Sequence, residues 1–318
     1  MTKSSKIYVA GHRGLVGSAI MRRLQKDGYT NLITRTSQQL DLTDQRAVAD
    51  FFYKEKPEYV FLAAARVGGM QANIKSPADF LYQNLMIQNN VIMNAANWGV
   101  RRLIYFNSNC AYPRLCQQPM VEEYILTGPL EPTNEAYAIA KIAGMSLCQS
   151  YNRQKDKNFI TLIPASIYGP NDHFGRDDAH IIPQLFDLMH AARIKGQSYV
   201  TVATNPNKIR EFLFIDDLAD ACLSVVQMAV DGRISSQGGF VLNVGTEESI
   251  SIKNLALLIR KIVRFNGTIK WSDEEPIGMP EKVLSAQKIR LLGWRHSTSL
   301  EKGLEETYRW YLGNVITK

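Results

Sequence analysis

Long apolar runs are missing from this sequence. No stretch approaches the roughly 20 residues a helix needs to cross a bilayer, so a helical membrane protein is excluded and no membrane partner is expected. Cysteine is scarce: Cys110, Cys116, Cys148 and Cys222 are the only four, and none is spaced Cys-x-x-Cys. In a chain of this size that argues against both a disulfide framework and a zinc site, and no metal is assigned. An arginine-rich arm and an aromatic RNA-binding signature are also lacking. The net charge of +7 is carried by dispersed residues, which argues against nucleic acid and suits an anionic small substrate and cofactor. There is no internal repeat, low-complexity tract or long linker. Residues 1–6 are few, polar and followed at once by an apolar strand, which leaves no room for a signal peptide, and a cytoplasmic protein is expected.

What is present is an alternation of apolar strands and helical stretches. Strands are expected at 7–10, 31–34, 58–65, 103–108 and 159–164, and helices at 18–27, 44–55, 78–98 and 133–153. The near-continuous apolar strands suit a sheet covered on both faces. The fold class is therefore α/β, a Rossmann-type doubly wound parallel sheet. After residue 168 the pattern loosens into a polar loop at 171–179 and a helix at 183–194. We expect an N-terminal dinucleotide-binding domain over 1–168 and a smaller C-terminal substrate lobe over 169–318. About 211–247 would return to the first domain, with a strand at 240–244, and helices would follow at 252–263 and 300–312.

The first strand runs into Gly11, Gly14 and Gly17, with Arg13, Leu15 and Val16 between them. A tight glycine turn between strand and helix lets backbone amides approach a pyrophosphate, and the helix dipole favours its charge. Arg35 follows the second strand, where an adenosine ribose would sit. A guanidinium there accommodates a 2′-phosphate, whereas an acid would select the unphosphorylated cofactor, so NADP(H) is expected. Asp41 reads either as an adenine contact or as a helix cap.

Tyr137 and Lys141 are four residues apart, and on a helix that spacing turns both toward one bound molecule. A phenol donates a proton readily at neutral pH only when its pKa is lowered, and a nearby cation has that effect. Lys141 is the expected cation, and Ser108 stands upstream as a further hydroxyl.

These segments resemble the extended short-chain dehydrogenase/reductase family over essentially the whole chain. The match rests on Gly-His-Arg-Gly-Leu-Val-Gly at 11–17, Ala-Ala-Arg-Val-Gly-Gly at 64–69 and Ser-Asn-Cys-Ala-Tyr-Pro at 108–113. Glu-Pro-Thr-Asn-Glu-Ala-Tyr-Ala-Ile-Ala-Lys at 131–141 and Arg-Glu-Phe-Leu at 210–213 complete it. Within the family the resemblance is to the branch that inverts C3 and C5 and reduces C4 of GDP-linked 4-keto-6-deoxy sugars. It implies that Ser108, Tyr137 and Lys141 are a reductase triad and that Cys110 and His180 are an epimerase acid/base pair. It further implies that Ala64, Pro164, His180, Tyr137 and Lys141 help hold the cofactor, that Val67, Asn109 and Arg210 meet the nucleotide-sugar, and that two copies pair through the helices at 78–98 and 133–153.

The chemistry is consistent with those roles. A 4-keto group acidifies the protons at C3 and C5, so a thiolate on one face and an imidazole on the other can invert a centre by removal and return. The hydroxyls of Ser108 and Tyr137, placed for ketone reduction, also serve the enolate oxygen. Some positions depart from the branch: 202–205 reads Val-Ala-Thr-Asn where Trp-Gly-Ser-Gly is usual, and Leu188 and Ser37 stand where basic residues are expected. The alternative is a C4-reductase or epimerase of another nucleotide-linked 4-keto sugar, a deoxyhexose or a heptose, for surface-glycan synthesis.

Overall fold

The structure is a computed structural model that describes residues 1–176, 179–234, 240–272 and 278–317. Residues 177–178, inside the polar loop expected at 171–179, lie outside the described residues. The elements in chain order are β1 (Ile7–Ala10), α1 (Leu15–Lys26), β2 (Leu32–Ile33), α2 (Gln45–Glu55), β3 (Tyr59–Leu62), α3 (Met70–Lys75), α4 (Pro77–Asn97) and β4 (Arg102–Phe106). They continue with α5 (Glu135–Lys155), β5 (Asn158–Pro164), β6 (Ser166–Tyr168), α6 (Ile181–Ile194), β7 (Tyr199–Val202), β8 (Ile209–Phe214) and α7 (Ile215–Val230). The last are β9 (Val241–Val244), β10 (Ser249–Ser251), α8 (Ile252–Val263), β11 (Thr268–Trp271), β12 (Glu281–Lys282), α9 (Gln287–Leu291) and α10 (Leu300–Tyr311).

Six strands form one parallel sheet in the order β2-β1-β3-β4-β5-β9. Successive side chains of a strand point to opposite faces, and β1 shows the result. Ile7 and Val9 join the core beneath α1 and α7, while Tyr8 and Ala10 join the core beneath α2, α4 and α5. The chain leaves β1 for β2 on one side and returns to β3 on the other. The strand order therefore reverses at the C-terminal ends of β1 and β3, the place where open α/β sheets leave a crevice for ligands.

A second core lies over the lobe built from α6, α8 and α10. In α8, Ile252, Leu255, Ala256, Ile259 and Val263 are buried, the one-sided stripe of a helix that covers a core. There β8 lies between β10 and β12 and also pairs with β6, while β7 pairs with β11. The strand expected at 240–244 is β9, which extends the main sheet beside β5.

Candidate active site

The glycine turn sits at the crevice. Gly11 has φ +81°, and a Cβ there would meet the Ala64 backbone nitrogen at 2.7 Å, so the left-handed conformation and the close approach of two strands both require glycine. At Gly17 a Cβ would collide with the Gly11 carbonyl, which makes this glycine a packing contact beneath the turn. Gly14 differs, because a Cβ would meet only the Gly11 oxygen, at 3.6 Å. Gly14 is also the N-cap of α1, with no side chain capping the helix and no acid in its first turn. Open backbone at a helix N-terminus is a cradle for an anion, and a dinucleotide's pyrophosphate fits this one.

Arg35 is held in place before any ligand arrives. Its Nη2 donates to Glu55 Oε1 at 2.7 Å, its Nη1 donates to the Thr34 carbonyl at 2.8 Å, and its guanidinium lies over the Phe51 ring. Asp41 lines the cleft and is not the cap of the following helix. Its Oδ1 accepts from the Thr43 amide at 2.8 Å and the Thr43 hydroxyl at 2.7 Å, and these bonds hold its carboxyl below the usual range. The cap of α2 is Asp44, which accepts from the amides of Arg46 and Ala47.

Ser108 ends the loop after β4. Its Oγ accepts from the Cys110 amide at 3.2 Å, which fixes the turn that presents the cysteine. Tyr137 and Lys141 extend from α5, and a buried network sets the position of that helix. Tyr105 of β4 donates to Gln88 Oε1 of α4 at 2.7 Å, and Gln88 Nε2 donates to the Ala140 carbonyl at 2.6 Å. Gly144, one turn further along, leaves the space that the Tyr105 hydroxyl fills.

Burial pushes the Tyr137 phenol up, the charge of Cys110 adds to this, and a hydrogen bond with Ser108 draws it down. The expected cation, Lys141, lines the same cleft. Lys141 Nζ lies over the Tyr105 ring, 4.4 Å from its centroid, and burial pushes the lysine itself down to about 7. The hydrogen bond with Ser108 is what favours the phenolate against this burial.

Cys110 Sγ accepts from Asn134 Nδ2 at 3.1 Å and from Lys282 Nζ at 3.6 Å. His180 is the exposed N-cap residue of α6. Behind it Asp172 is buried with its Oδ2 lacking a hydrogen-bond partner; burial pushes its carboxyl up and the charge of His180 pulls it down. Arg210 folds back on the chain, donating to the carbonyls of Ile209, Met279 and Pro280.

Every residue given a catalytic, cofactor or substrate role from the sequence lines one cleft of about 1030 Å³ except Gly17, which lies beneath it. The same cleft is lined by Asn134, Asp172, His173, Lys208 and Lys282, which the sequence reading did not single out. Asn134 belongs to the Glu-Pro-Thr-Asn segment and was within reach of that reading. Lys282 carried no local signal.

The model of the NAD dependent epimerase/dehydratase family matches residues 7–245. A protein of Arabidopsis thaliana named putative GDP-L-fucose synthase 2 is 47% identical, covering 100% of this chain and 95% of its own length. The GDP-L-fucose synthase of Escherichia coli (strain K12) is 44% identical, covering 97% of each. Among solved structures, a GDP-mannoheptose C4 reductase from Campylobacter jejuni with NADP bound superposes with a TM-score of 0.89 at 38% identity, over 98% of this chain and 99% of that one.

Proposed function

Because the chain belongs to the NAD dependent epimerase/dehydratase family, we propose that it is an NADPH-dependent enzyme that epimerises a GDP-linked 4-keto-6-deoxy sugar at C3 and C5 and then reduces it at C4. The observation that carries this reading is that Ser108, Cys110, Tyr137, Lys141 and His180 line a single cleft beside the glycine cradle. The relatives named GDP-L-fucose synthase, at 44% and 47% identity over nearly the whole chain, favour a deoxyhexose over the heptose of the Campylobacter enzyme.

The residues present fit NADP(H). Gly11 and Gly14 with the first amides of α1 would hold the pyrophosphate, Arg13 and Arg35 the 2′-phosphate, and Lys141 the nicotinamide ribose. When bound, the cofactor supplies the hydride that C4 receives. Before that step the Cys110 thiolate removes a proton next to the ketone, and the electron pair of the broken C–H bond passes to the C4 oxygen. Ser108 and Tyr137 donate hydrogen bonds to that oxygen. His180, protonated, returns a proton to the carbon on the opposite face and inverts it. In the reduction Tyr137 gives its proton to the C4 oxygen. The same two hydroxyls thus serve both stages.

The lobe holding the second core supports a division of labour in which 1–168 binds NADP(H) and 169–318 binds the nucleotide-sugar, with 211–247 returning to the first domain. We place the enzyme in the cytoplasm as a homodimer paired through α4 and α5. Tyr82 and Ile139, exposed apolar residues on those two helices, support the pairing. Among the described residues no helix is long and apolar enough to cross a membrane.

Incubation with GDP-4-keto-6-deoxymannose and NADPH in D₂O, followed by NMR of the product, tests the reading. GDP-L-fucose carrying deuterium at C3 and C5 is expected. A C4-reduced product with neither position exchanged would make the protein a simple reductase.

A further inference from the structure

Lys282 reaches the cleft from a strand only two residues long. β12 pairs in parallel with β8 so that Lys282 lies opposite Arg210. The chain just beyond it is fastened on two sides. Val283 donates its amide to Gln118 Oε1 at 2.9 Å and accepts from the Met120 amide at 2.7 Å, and the Leu284 amide donates to Glu211 Oε2 at 2.7 Å. From this anchored position Nζ donates to Cys110 Sγ at 3.6 Å, across 172 residues of sequence. Asn134 Nδ2 donates to the same sulfur at 3.1 Å. Among the described residues the one acceptor near the sulfur, Asn109 Oδ1, is more distant at 3.9 Å, so the two converging donors prevail and favour the form that offers lone pairs and a full negative charge.

We propose that Lys282 is a positioning residue for the epimerisation stage: with the Asn134 amide, its ammonium holds the Cys110 sulfur as a thiolate facing the cleft, ready to take a proton from the sugar. This rests on the reading of Cys110 as an acid/base group. When the sulfur takes that proton it becomes a neutral S–H, the C–H electron pair moves into the enolate, and the negative charge passes to the C4 oxygen. Lys282 keeps its proton throughout, and when the sulfur gives its proton up the ammonium again faces an anion.

A second observation shows why a cation is needed here. The charge of Cys110 acts against ionisation of Tyr137, the proton donor of the other stage. A thiolate balanced by Lys282 perturbs its neighbour less than one left alone. Lys141 is already engaged elsewhere, buried with its ammonium over the Tyr105 ring.

Alkylation reads the thiolate without substrate or turnover. The full-length enzyme is treated with iodoacetamide at pH 7, and modification of Cys110 is followed by mass spectrometry. Lys282→Met is expected to slow the reaction about tenfold, and Lys282→Arg to recover most of the rate. Lys282→Gln, checked for an unchanged circular dichroism spectrum, guards against a folding defect in the first variant. An unchanged rate in Lys282→Met overturns the proposal. So does a slow rate in all three variants, which would assign the effect to strand geometry instead of charge. In substrate, deuterium exchange at C3 and C5 should slow by a similar factor in Lys282→Met. Retained exchange in Cys110→Ser would remove the acid/base reading of Cys110, and the alkylation rates would still decide the role of Lys282.

Discussion

The Lys141 ammonium lies 4.4 Å from the centroid of the Tyr105 ring, and the hydroxyl of that ring is committed to Gln88. The lysine therefore rests on an aromatic face in a buried site, and burial lowers its pKa to about 7. In the unfolded chain a lysine titrates near 10.4. As pH falls from about 10 to about 7 the unfolded state takes up this proton and the folded state does not, so folding loses stability over that range. Below about 7 both states are protonated and the loss is complete. Lys141→Met should thus raise the Tm of the cofactor-free protein at pH 7 by several degrees, at roughly 2–4 °C per kcal/mol for a chain this long. The gain should shrink toward pH 10. Differential scanning fluorimetry without cofactor checks this, and a lower Tm at pH 7 would show that the lysine is a net stabiliser.

Tyr137 and Cys110 divide the two stages between them. Tyr137→Phe removes a proton donor and keeps the ring that packs edge-on against Phe80, so NADPH affinity should hold while reduction slows by about 10²–10⁴. Cys110→Ser should do the reverse, abolishing solvent exchange into the sugar while hydride still reaches an already epimerised ketone. Stopped-flow absorbance of NADPH and NMR of the recovered sugar separate the two. Exchange that persists undiminished in Cys110→Ser would take the sulfur out of the mechanism.

Much of this site was legible because its residues are close in sequence. The glycine spacing at 11–17 spans one strand-to-helix turn and the four-residue step from Tyr137 to Lys141 lies within α5, so local geometry alone places them. The main sheet was legible for a related reason: its strands are buried on both faces and read as apolar runs. Lys282 gave no such signal. It stands on two residues of strand and meets Cys110 only because β12 pairs with β8. β6, β7 and β8 were missed as strands in the second lobe, where short segments carry little periodicity. α7 was missed although its sequence carries a helical signal: Asp216, Asp220, Ser224 and Gln227 recur at helical spacing along its less buried face, opposite buried Leu218, Cys222, Val225 and Val226. α5 was found but begins at Glu135, since Pro132–Asn134 forms a separate 3₁₀ turn before it. The sequence also could not show that Asp41 would bond Thr43 while Asp44 capped α2, because the two acids differ in their local turn and not in their type.

Arg35 bears on cofactor choice. Glu55 bonds both Arg35 and Lys6, at 2.7 and 3.0 Å, so the guanidinium is oriented before the cofactor arrives. Arg35→Met should lower kcat/KM for NADPH by about tenfold or more, the worth of a charge-assisted phosphate contact, and leave the value for NADH nearly unchanged. Steady-state kinetics with the two cofactors measure this. An equal fall for both would mean that the arginine supports the turn and does not read the 2′-phosphate.

Glu211, next to Arg210, ties the segment after β9 to the strand that carries Lys282. Its Oε1 accepts from the amides of Thr246 and Glu247, at 2.5 and 2.7 Å, and its Oε2 accepts from the Leu284 amide at 2.7 Å. A glutamine of the same shape has one oxygen and one NH₂. The oxygen will face the two amides of Thr246 and Glu247, because that orientation satisfies more donors, and the NH₂ then confronts the Leu284 N–H. One buried amide loses its acceptor, at a cost of about 1–3 kcal/mol. The loss should be local. In Glu211→Gln, hydrogen exchange at Leu284 and its neighbours should quicken while Thr246 and Glu247 stay protected. Because β12 leads into Leu284, the same variant should also slow alkylation of Cys110, although Glu211 is not among the residues that touch the sulfur. Uniformly faster exchange at all three amides would mean that the carboxylate acts as a global support and not as the tether of this strand.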